Sequence, residues 1–335
     1  MTGGPITAMI MHPVVKEELL GEPHLQRLGR SCRLVDPTPF RTFDGLGEES
    51  VRVQVLITSW GCPRIDRKVV AGMPGLKLIA HLAGSVKGFI DETVWRMGIQ
   101  ITNAVAANAV PVAEYTLAAI LFSNKRVLQL ADFYRKHHEN RAPWTKEAPN
   151  VGNYKKTVGI IGASHVGRKV LELLRPFDMK VLLYDPYITP LDARELGAHK
   201  VGLSELLSNS DVVSMHAPLL AETRHMLGAR EFALMKDGAT FINTARGGVV
   251  DQRALEAELA SARLSAVLDT TEPEVLPPES VLYRLPNVLL TPHIAGSLGT
   301  ETQRLADYVI DEVERFSRGH PLKHRVRYDE LARLA

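Results

Sequence analysis

Side chains able to do chemistry follow four short apolar segments in the second half of this 335-residue chain. Each segment has the length and composition of a strand that is buried on both faces of a sheet. Ligands of parallel α/β sheets bind outside the carboxyl ends of the strands, so the residues after each segment are candidates for one ligand site. The four groups are His216-Ala217-Pro218, Thr244-Ala245-Arg246-Gly247-Gly248, residues 269–274 and Thr291-Pro292-His293.

Arg246 is the most informative cation among them. It follows the predicted strand 239–243 and precedes Gly247 and Gly248. An unpaired charge in such a place is costly unless a partner meets it. The planar guanidinium group fits a carboxylate through two hydrogen bonds and can polarise a carbonyl group. Arg246 is therefore predicted to bind an anionic ligand, and a structural ion pair is the alternative.

Residues 157–187 predict a β-α-β unit that holds a dinucleotide. An apolar run ends at Gly162, where the chain must turn sharply into a helix, and Gly167 lets that helix pack closely on the strand. Glycines at this spacing also occur in turns that bind no ligand. Ser164 replaces the middle glycine of the usual pattern, so a β-carbon faces the pyrophosphate, and the hydroxyl can instead donate to phosphate.

Asp185 strengthens the prediction of a nucleotide site. It ends the second predicted strand and lies 18 residues after Gly167, close to the ~20 expected for an acid that accepts hydrogen bonds from the adenosine ribose. A carboxylate there repels a 2′-phosphate, which favours NAD over NADP. A plain turn residue before Pro186 is the simpler interpretation.

Composition argues against several classes of protein. The net charge of +2 gives no electrostatic reason to expect nucleic-acid binding. We find no run of about 18 apolar residues and no signal-peptide pattern, so a soluble, cytoplasmic protein without a membrane partner is expected. Cys32 and Cys62 lack the spacing of a metal site, so they are predicted to be reduced thiols and no metal is expected.

The first hundred residues alternate strand and helix patterns and predict a small parallel α/β domain. The loop Ala83-Gly84-Ser85 follows its fourth strand and can offer backbone N–H groups to an anion such as a substrate carboxylate, although a plain turn explains it equally well. Further helices are predicted over 14–28 and 108–130. Residues 132–154 are predicted to be an irregular loop anchored by Trp144.

Five motifs follow one another along the chain. They are Gly162-x-Ser164-x-x-Gly167, His216-Ala217-Pro218-Leu219, Asn243-Thr244-Ala245-Arg246-Gly247-Gly248, Asp269-x-x-Glu272-Pro273-Glu274 and Thr291-Pro292-His293-Ile294-Ala295-Gly296. In this order they resemble the D-2-hydroxyacid dehydrogenase family, within it the D-3-phosphoglycerate dehydrogenase and glyoxylate-hydroxypyruvate reductase group. The likeness covers nearly the whole chain. It departs from the family pattern at Ser164, at Thr270-Thr271 in place of Val-Phe, and at Val275 in place of proline.

The resemblance implies a discontinuous α/β architecture with two doubly wound parallel-sheet domains. A Rossmann NAD-binding domain, 106–297, would be inserted in a flavodoxin-like substrate domain made of 1–105 plus 298–335. The active site is then expected in the cleft between the domains, a usual place for small-molecule sites.

The resemblance also implies the role of each site residue. His293 would donate or take up the proton, since an imidazole titrates near neutral pH. Glu274 would fix the ring of His293, and the family spacing favours it over Glu272. Arg246 would bind substrate together with Ala83, Gly84 and Ser85. The predicted NAD contacts are Gly162, Ser164, His165, Val166, Gly167, Asp185, His216, Ala217, Pro218, Thr223, Thr244, Ala245, Asp269, His293 and Gly296.

Within these contacts, Asp269 would hold the nicotinamide carboxamide, and His216 and Pro218 would line the adenine or ribose side. The implied function is NAD-dependent interconversion of a small 2-keto acid and its D-2-hydroxy acid by a homodimer formed through residues 108–154. Two alternatives remain open. One is a non-catalytic NAD-binding scaffold like the transcriptional corepressors that share this fold. The other is a dehydrogenase of a small anion such as phosphite or formate.

Overall fold

The computed structural model describes residues 4–138 and 150–333. The chain divides into two compact units, Met1–Asn108 with Ser297–Ala335, and Ala109–Gly296. The predicted domain boundaries, after residues 105 and 297, lie within three residues of these divisions. Trp144, the predicted anchor of a loop, lies outside the described residues.

Strands of the first unit are β1 (Ile6–Ile10), β2 (Arg33–Leu34), β3 (Val55–Thr58), β4 (Leu78–His81) and β5 (Gln100–Asn103). Strands of the second unit are β6 (Thr157–Ile161), β7 (Lys180–Tyr184), β8 (His199–Lys200), β9 (Val212–Met215), β10 (Thr240–Asn243), β11 (Ser265–Leu268) and β12 (Val288–Leu290). Most of their residues are buried, as expected for strands covered on both faces.

Helices before the middle of the chain are α1 (Pro13–Leu19), α2 (Glu22–Ser31), α3 (Arg67–Ala71), α4 (Glu92–Arg96), α5 (Val105–Asn124) and α6 (Val127–His137). The later helices are α7 (His165–Leu174), α8 (Pro190–Glu195), α9 (Leu203–Asn209), α10 (Ala229–Ala233), α11 (Gln252–Ala260) and α12 (Thr302–Ser317). Short 3₁₀ turns cover Phe43–Arg52, Gly247–Val249, Val281–Tyr283, Gly299–Glu301 and Tyr328–Arg333.

The first unit is a parallel sheet with the strand order β2-β1-β3-β4-β5, which is the flavodoxin-like order. Every residue of β3 and β4 is buried. Helix α12, from the carboxyl-terminal part of the chain, packs on α2 and β4. Its buried Leu305, Val309 and Val313 face the same core as Leu28 and Leu78.

The second unit is a parallel sheet with the order β12-β11-β10-β9-β6-β7-β8. Counted from β6, this is the Rossmann order 3-2-1-4-5-6 with one further edge strand. The predicted fold class is therefore confirmed. The sequence predicted about six strands here and missed β8, which is only two residues long. Strand order reverses between β6 and β9, so the residues after these two strands open into the crevice where ligands of such sheets bind.

Two predicted helices are each divided in the structure. The predicted helix over 14–28 is α1 and α2, separated at Gly21, with Pro23 in the first turn of α2. The predicted helix over 108–130 begins earlier, because Asn103 accepts a hydrogen bond from the Val105 N–H, and it ends at Asn124. Arg126 then adopts a left-handed backbone with φ of 49°, and α6 continues to His137. The predicted irregular loop from residue 132 is therefore wrong over its first six residues.

Helix α5 is long and apolar enough, by length and composition, to cross a membrane. The expectation that no such apolar segment exists was therefore too strict. A core helix meets the same criteria, and Ala113, Ala119 and Ile120 of α5 pack with Val158 and Val170 in the core of the second unit. These three side chains thus have partners within the second unit.

Candidate active site

The turn after β6 requires both of its glycines. Gly162 has a left-handed φ of 95°, and a β-carbon there would lie 2.6 Å from the Ala217 nitrogen. A β-carbon on Gly167 would lie 2.0 Å from the Gly162 carbonyl oxygen. The first turn of α7 is thus pressed against the end of β6, as predicted for a dinucleotide turn.

Ser164 is the N-cap residue of α7. Its Oγ accepts a hydrogen bond from the Gly167 N–H at 3.3 Å, and its carbonyl oxygen accepts from the Arg168 N–H. Ser164 was predicted only to contact phosphate, and this role as a helix cap was not foreseen, although serine is a preferred N-cap residue. The hydroxyl proton stays available for a ligand, because the cap uses Oγ as an acceptor.

Asp185 connects the end of β7 to the glycine-rich turn. Its Oδ2 accepts from the Ala163 N–H at 2.7 Å, and its Oδ1 accepts from the Tyr187 N–H at 2.7 Å. The second bond is the turn contact that the simpler interpretation predicted. The first places the carboxylate beside Gly162, where a ribose-binding acid is expected. Each oxygen has a further lone pair for a ligand hydroxyl.

The His216 ring lies inside the second unit. Its Nε2 is 2.9 Å from Ser214 Oγ, and its Nδ1 has no hydrogen-bond partner among the described residues. Burial lowers the pKa of His216 to about 3, so the ring is neutral. The backbone of His216 lies beside Gly162, and the contact with the adenine or ribose side stays a prediction. In the loop that follows, Thr223 Oγ1 accepts from the Leu220 N–H and donates to the Pro218 carbonyl oxygen, so it fixes the loop.

Asn243 shapes the loop that carries Arg246. Its Oδ1 accepts from the Ala245 N–H at 3.0 Å, and its Nδ2 donates to the Arg246 carbonyl oxygen at 3.0 Å. The neighbouring Thr244 is buried, with its hydroxyl 3.0 Å from that of Thr116. A role for Asn243 was not predicted, although a buried amide at the end of a strand must find such partners.

The Arg246 side chain is exposed and lies on this loop after β10. Its Nη1 donates to the Ala245 carbonyl oxygen at 2.7 Å. Among the described residues, no carboxylate lies within 4.0 Å of the guanidinium group, so the alternative of a structural ion pair has no partner here. The remaining guanidinium donors can meet a ligand carboxylate.

Gly247 and Gly248 bring the loops after β10 and β11 into contact. A β-carbon on Gly247 would lie 2.1 Å from the carbonyl carbon of Thr271, and one on Gly248 would lie 3.1 Å from Glu272 Oε1. Thr271 also donates to the Pro273 carbonyl oxygen at 2.8 Å. The chain before Glu274 is thereby held against the Arg246 loop.

The two neighbouring glutamates face different partners, and Glu274, which the family spacing favoured, is the one beside His293. Glu274 Oε1 forms a short contact with His293 Nδ1, and these side chains are 57% and 47% exposed. Glu272 turns the other way and accepts from Arg224 Nη1 at 3.0 Å and from His225 Nε2 at 3.3 Å. Slight burial raises the pKa of Glu272, but the bonds from His225 and Arg224 outweigh it and keep the pKa low. Glu274 alone of the pair is thus the partner of His293.

Asp269 is buried at the end of β11 and holds the loop that carries His293. Its Oδ1 accepts from Thr291 Oγ1 at 2.7 Å and from the Ile294 N–H at 2.8 Å, and its Oδ2 accepts from the Ala295 N–H at 2.9 Å. This structural role was not predicted, and it adds to the nicotinamide contact that the resemblance implies.

His293 itself has a left-handed backbone with φ of 55°, which is uncommon for a residue other than glycine. Its N–H donates to the Thr291 carbonyl oxygen at 3.0 Å. Such conformations persist where the surroundings fix them, and they cluster at functional sites. Here the hydrogen bonds that the next two amides donate to Asp269 fix the turn.

The predicted substrate loop belongs to the first unit. Ala83 is buried, and its carbonyl oxygen accepts from the Ala104 N–H at 2.9 Å. Ser85 Oγ accepts from the Lys87 N–H at 3.2 Å, and a β-carbon on Gly84 would meet no atom within 4 Å. The loop is a turn with open space beside Gly84, which fits both interpretations given above.

Neither cysteine has the setting of a reactive thiol. Burial raises the pKa of Cys62 to about 12 and also raises the pKa of Cys32, so both are protonated at neutral pH. Over residues 4–138 and 150–333, no group of three or more His, Cys, Asp or Glu side chains could hold a metal ion.

The known proteins to which this chain is similar are dehydrogenases and reductases. Residues 117–295 match the NAD-binding domain of the D-isomer-specific 2-hydroxyacid dehydrogenases. A glyoxylate reductase from Korarchaeum cryptofilum is 33% identical over 257 residues, covering 76% of this chain and 77% of that protein. A D-3-phosphoglycerate dehydrogenase from Archaeoglobus fulgidus is 31% identical over 264 residues, covering 78% and 49%. A solved phosphoglycerate oxidoreductase from Rhizobium etli has a TM-score of 0.82 at 23% identity, covering 96% and 98%.

Two parallel doubly wound sheets, one with a dinucleotide turn, define the class of NAD-binding α/β proteins. Within that class, the chain belongs to the D-isomer-specific 2-hydroxyacid dehydrogenase family, as its motifs predicted. NAD is the cofactor of the matched domain. The chain spans about half, 49%, of the length of the Archaeoglobus fulgidus relative.

Acid is expected to destabilise this fold. Burial lowers the pKa of His216 to about 3 and that of His81 to about 4, from an ordinary value of 6.5. Below pH 6.5 these two histidines therefore become protonated in the unfolded chain while they stay neutral in the folded chain. The free energy of unfolding consequently falls as the pH falls toward 4. At pH 5 the loss is about 2 kcal/mol for each histidine. Urea unfolding at pH 7.5 and at pH 5 measures this loss in the free energy of unfolding.

His216→Asn should weaken this pH dependence, because it removes one of the two imidazoles whose pKa burial lowers. The exposed His199 in β8 supplies the control, since His199→Gln should leave the pH dependence unchanged. An undiminished loss of stability at pH 5 in His216→Asn would show that His216 is not the group responsible.

Proposed function

We propose that this protein is an NAD-dependent dehydrogenase that interconverts a small 2-keto acid and its D-2-hydroxy acid. The observation that carries the proposal is the contact between Glu274 and His293, formed where β11 and β12 end in the NAD-binding unit. An exposed imidazole held by a carboxylate is suited to proton transfer. The arginine of the neighbouring β10 loop is suited to an anionic substrate.

The residues present fit an NAD molecule. The first turn of α7 leaves N–H groups without intrahelical acceptors, and the helix dipole favours a pyrophosphate there. Gly162 and Gly167 allow close approach of the backbone, and Asp185 lies beside the turn for the ribose hydroxyls. NAD supplies or accepts the hydride when it is bound. The protein supplies binding, orientation and the proton.

His293 is the proposed acid in keto-acid reduction and the base in the reverse direction. In reduction, its Nε2–H gives a proton to the oxygen that was the carbonyl, while Nδ1 keeps its hydrogen bond to Glu274. The carboxylate stabilises the positive charge of the imidazolium and fixes the direction in which Nε2 faces. Half-exposure of the ring leaves Nε2 accessible to a substrate.

Arg246 is the proposed carboxylate-binding residue. Its exposed guanidinium group has one backbone acceptor and, among the described residues, no acidic partner. Two parallel hydrogen bonds to a 2-keto acid carboxylate would orient the carbonyl group next to it. Relatives named glyoxylate reductase support a small 2-keto acid as the substrate class.

A keto-acid panel tests the activity itself. Oxidation of NADH should be measured with glyoxylate, hydroxypyruvate and pyruvate, and at least one should be reduced. His293→Ala should lower kcat by roughly two to four orders of magnitude, the usual contribution of a general acid, while NADH binding changes little. Tight NADH binding without turnover of any keto acid would instead favour a non-catalytic NAD-binding protein.

Glu274→Gln and Glu272→Gln form a matched pair on one loop. Loss of the Glu274 carboxylate removes a charge-assisted hydrogen bond and should lower kcat about 10- to 100-fold. Glu272→Gln should keep kcat within about three-fold, since its partners are Arg224 and His225. Equal losses in the two variants would contradict the role of Glu274.

Asp185→Ala tests the choice of cofactor. Removing the carboxylate should weaken NADH binding about 10-fold or more and should narrow the preference over NADPH, because the repulsion of a 2′-phosphate is lost. Asp178→Ala is the control, since Asp178 is an exposed acid two residues before the start of β7, at the end of the strand away from Asp185. Wild-type protein that already binds NADH and NADPH equally would refute this role of Asp185.

A further inference from the structure

A chain of hydrogen bonds runs from helix α5 to the loop of His293. The Tyr115 hydroxyl lies 2.8 Å from Thr291 Oγ1, and Thr291 Oγ1 lies 2.7 Å from Asp269 Oδ1. Tyr115 is half-buried and belongs to the same unit as the other two residues. None of the five sequence motifs includes Tyr115, and it lies 176 residues from Thr291 along the chain.

Each proton in the chain has a definite direction. Asp269 is a carboxylate that takes two backbone N–H bonds, so it acts as an acceptor toward Thr291 as well. Thr291 therefore donates its single hydroxyl proton to Asp269. Tyr115 must then be the donor to Thr291. Burial raises the pKa of Tyr115, which keeps the phenol protonated for this bond. Hydrogen bonds in such a chain strengthen one another.

The far end of the chain is the turn that presents His293. Asp269 accepts from the amides of Ile294 and Ala295, the two residues that follow the left-handed His293. Thr291 also accepts from the His293 N–H through its carbonyl oxygen. Tyr115 therefore orients the side chain of Thr291, which is hydrogen-bonded to both His293 and Asp269.

We propose that Tyr115 is a positioning residue for proton transfer, acting on the His293 turn through Thr291 and Asp269. The proposal rests on the proposed role of His293. The phenol donates to Thr291, Thr291 donates to Asp269, and Asp269 holds the two amides that fix the turn. Tyr115 touches neither Glu274 nor the imidazole, so its effect is on geometry and not on the charge of the pair.

Tyr115→Phe removes only the hydroxyl group and keeps the ring in the core. It should lower kcat about five-fold, the value of one hydrogen bond, with KM for the keto acid and NADH affinity nearly unchanged. Thr291→Val breaks both bonds and should lower kcat about 10- to 100-fold, and Thr291→Ser should restore most of it. Tyr283→Phe is the control, because its hydroxyl donates to the Leu276 carbonyl oxygen, away from this chain.

A double variant separates positioning from a general structural effect. If Tyr115 acts on His293, then Tyr115→Phe should cause no further loss of kcat in a His293→Ala background. The same five-fold loss in both backgrounds would overturn the proposal. A general loss of stability would also lower the melting temperature, which should stay near that of Tyr283→Phe.

Amide hydrogen exchange tests the chain without any turnover. In Tyr115→Phe the amides of Ile294 and Ala295 should exchange about five-fold faster, since their acceptor is held less firmly, while the amides of α7 should be unchanged. Unchanged exchange at both amides would overturn the proposal. If no keto acid is reduced by the wild-type protein, the proposed function fails, and the exchange result still decides whether Tyr115 holds the turn.

Discussion

The buried carboxylate of Asp269 is the constraint on which the candidate active site depends. A charge in the core is very costly unless hydrogen-bond donors surround it. Its three donors are the Thr291 hydroxyl and the amides of Ile294 and Ala295, which lie on both sides of His293. The end of β11 therefore determines the path of the chain after β12. The imidazole takes its position from a residue that is more than twenty positions away in the sequence.

Parallel pairing explains why the other groups gather around it. β10, β11 and β12 are neighbours in register, so their carboxyl ends form one edge of the sheet. Arg246, Glu274 and His293 each follow one of these strands. The order in which they occur in the chain is thus the order in which they occur along the edge. Local hydrogen bonds, such as those of Asn243, then set the direction of each loop.

Features fixed by one short segment could be predicted from the sequence. Gly162, Gly167 and Asp185 lie within one β-α-β unit. The strands could be predicted because their apolar runs are visible in the sequence. The break at Arg126 was missed because no glycine or proline marks it. The family spacing favoured Glu274 over Glu272, but the partners that hold Glu272 away from His293 were not foreseen, because Arg224 and His225 come from another loop. The partners of Asp269 are equally distant. The homodimer and the cytoplasmic location stay predictions.

The contact at Gly247 has a consequence for protein engineering. A β-carbon there would overlap the backbone of Thr271, so the two loops that carry Arg246 and Glu274 cannot be varied independently. Libraries that place another residue at position 247 would displace the loop that carries Glu274. In engineered variants the segment from Asn243 to Glu274 is therefore best kept unchanged or exchanged as a whole. Variation is better directed to the residues around Gly84, where added side chains meet open space.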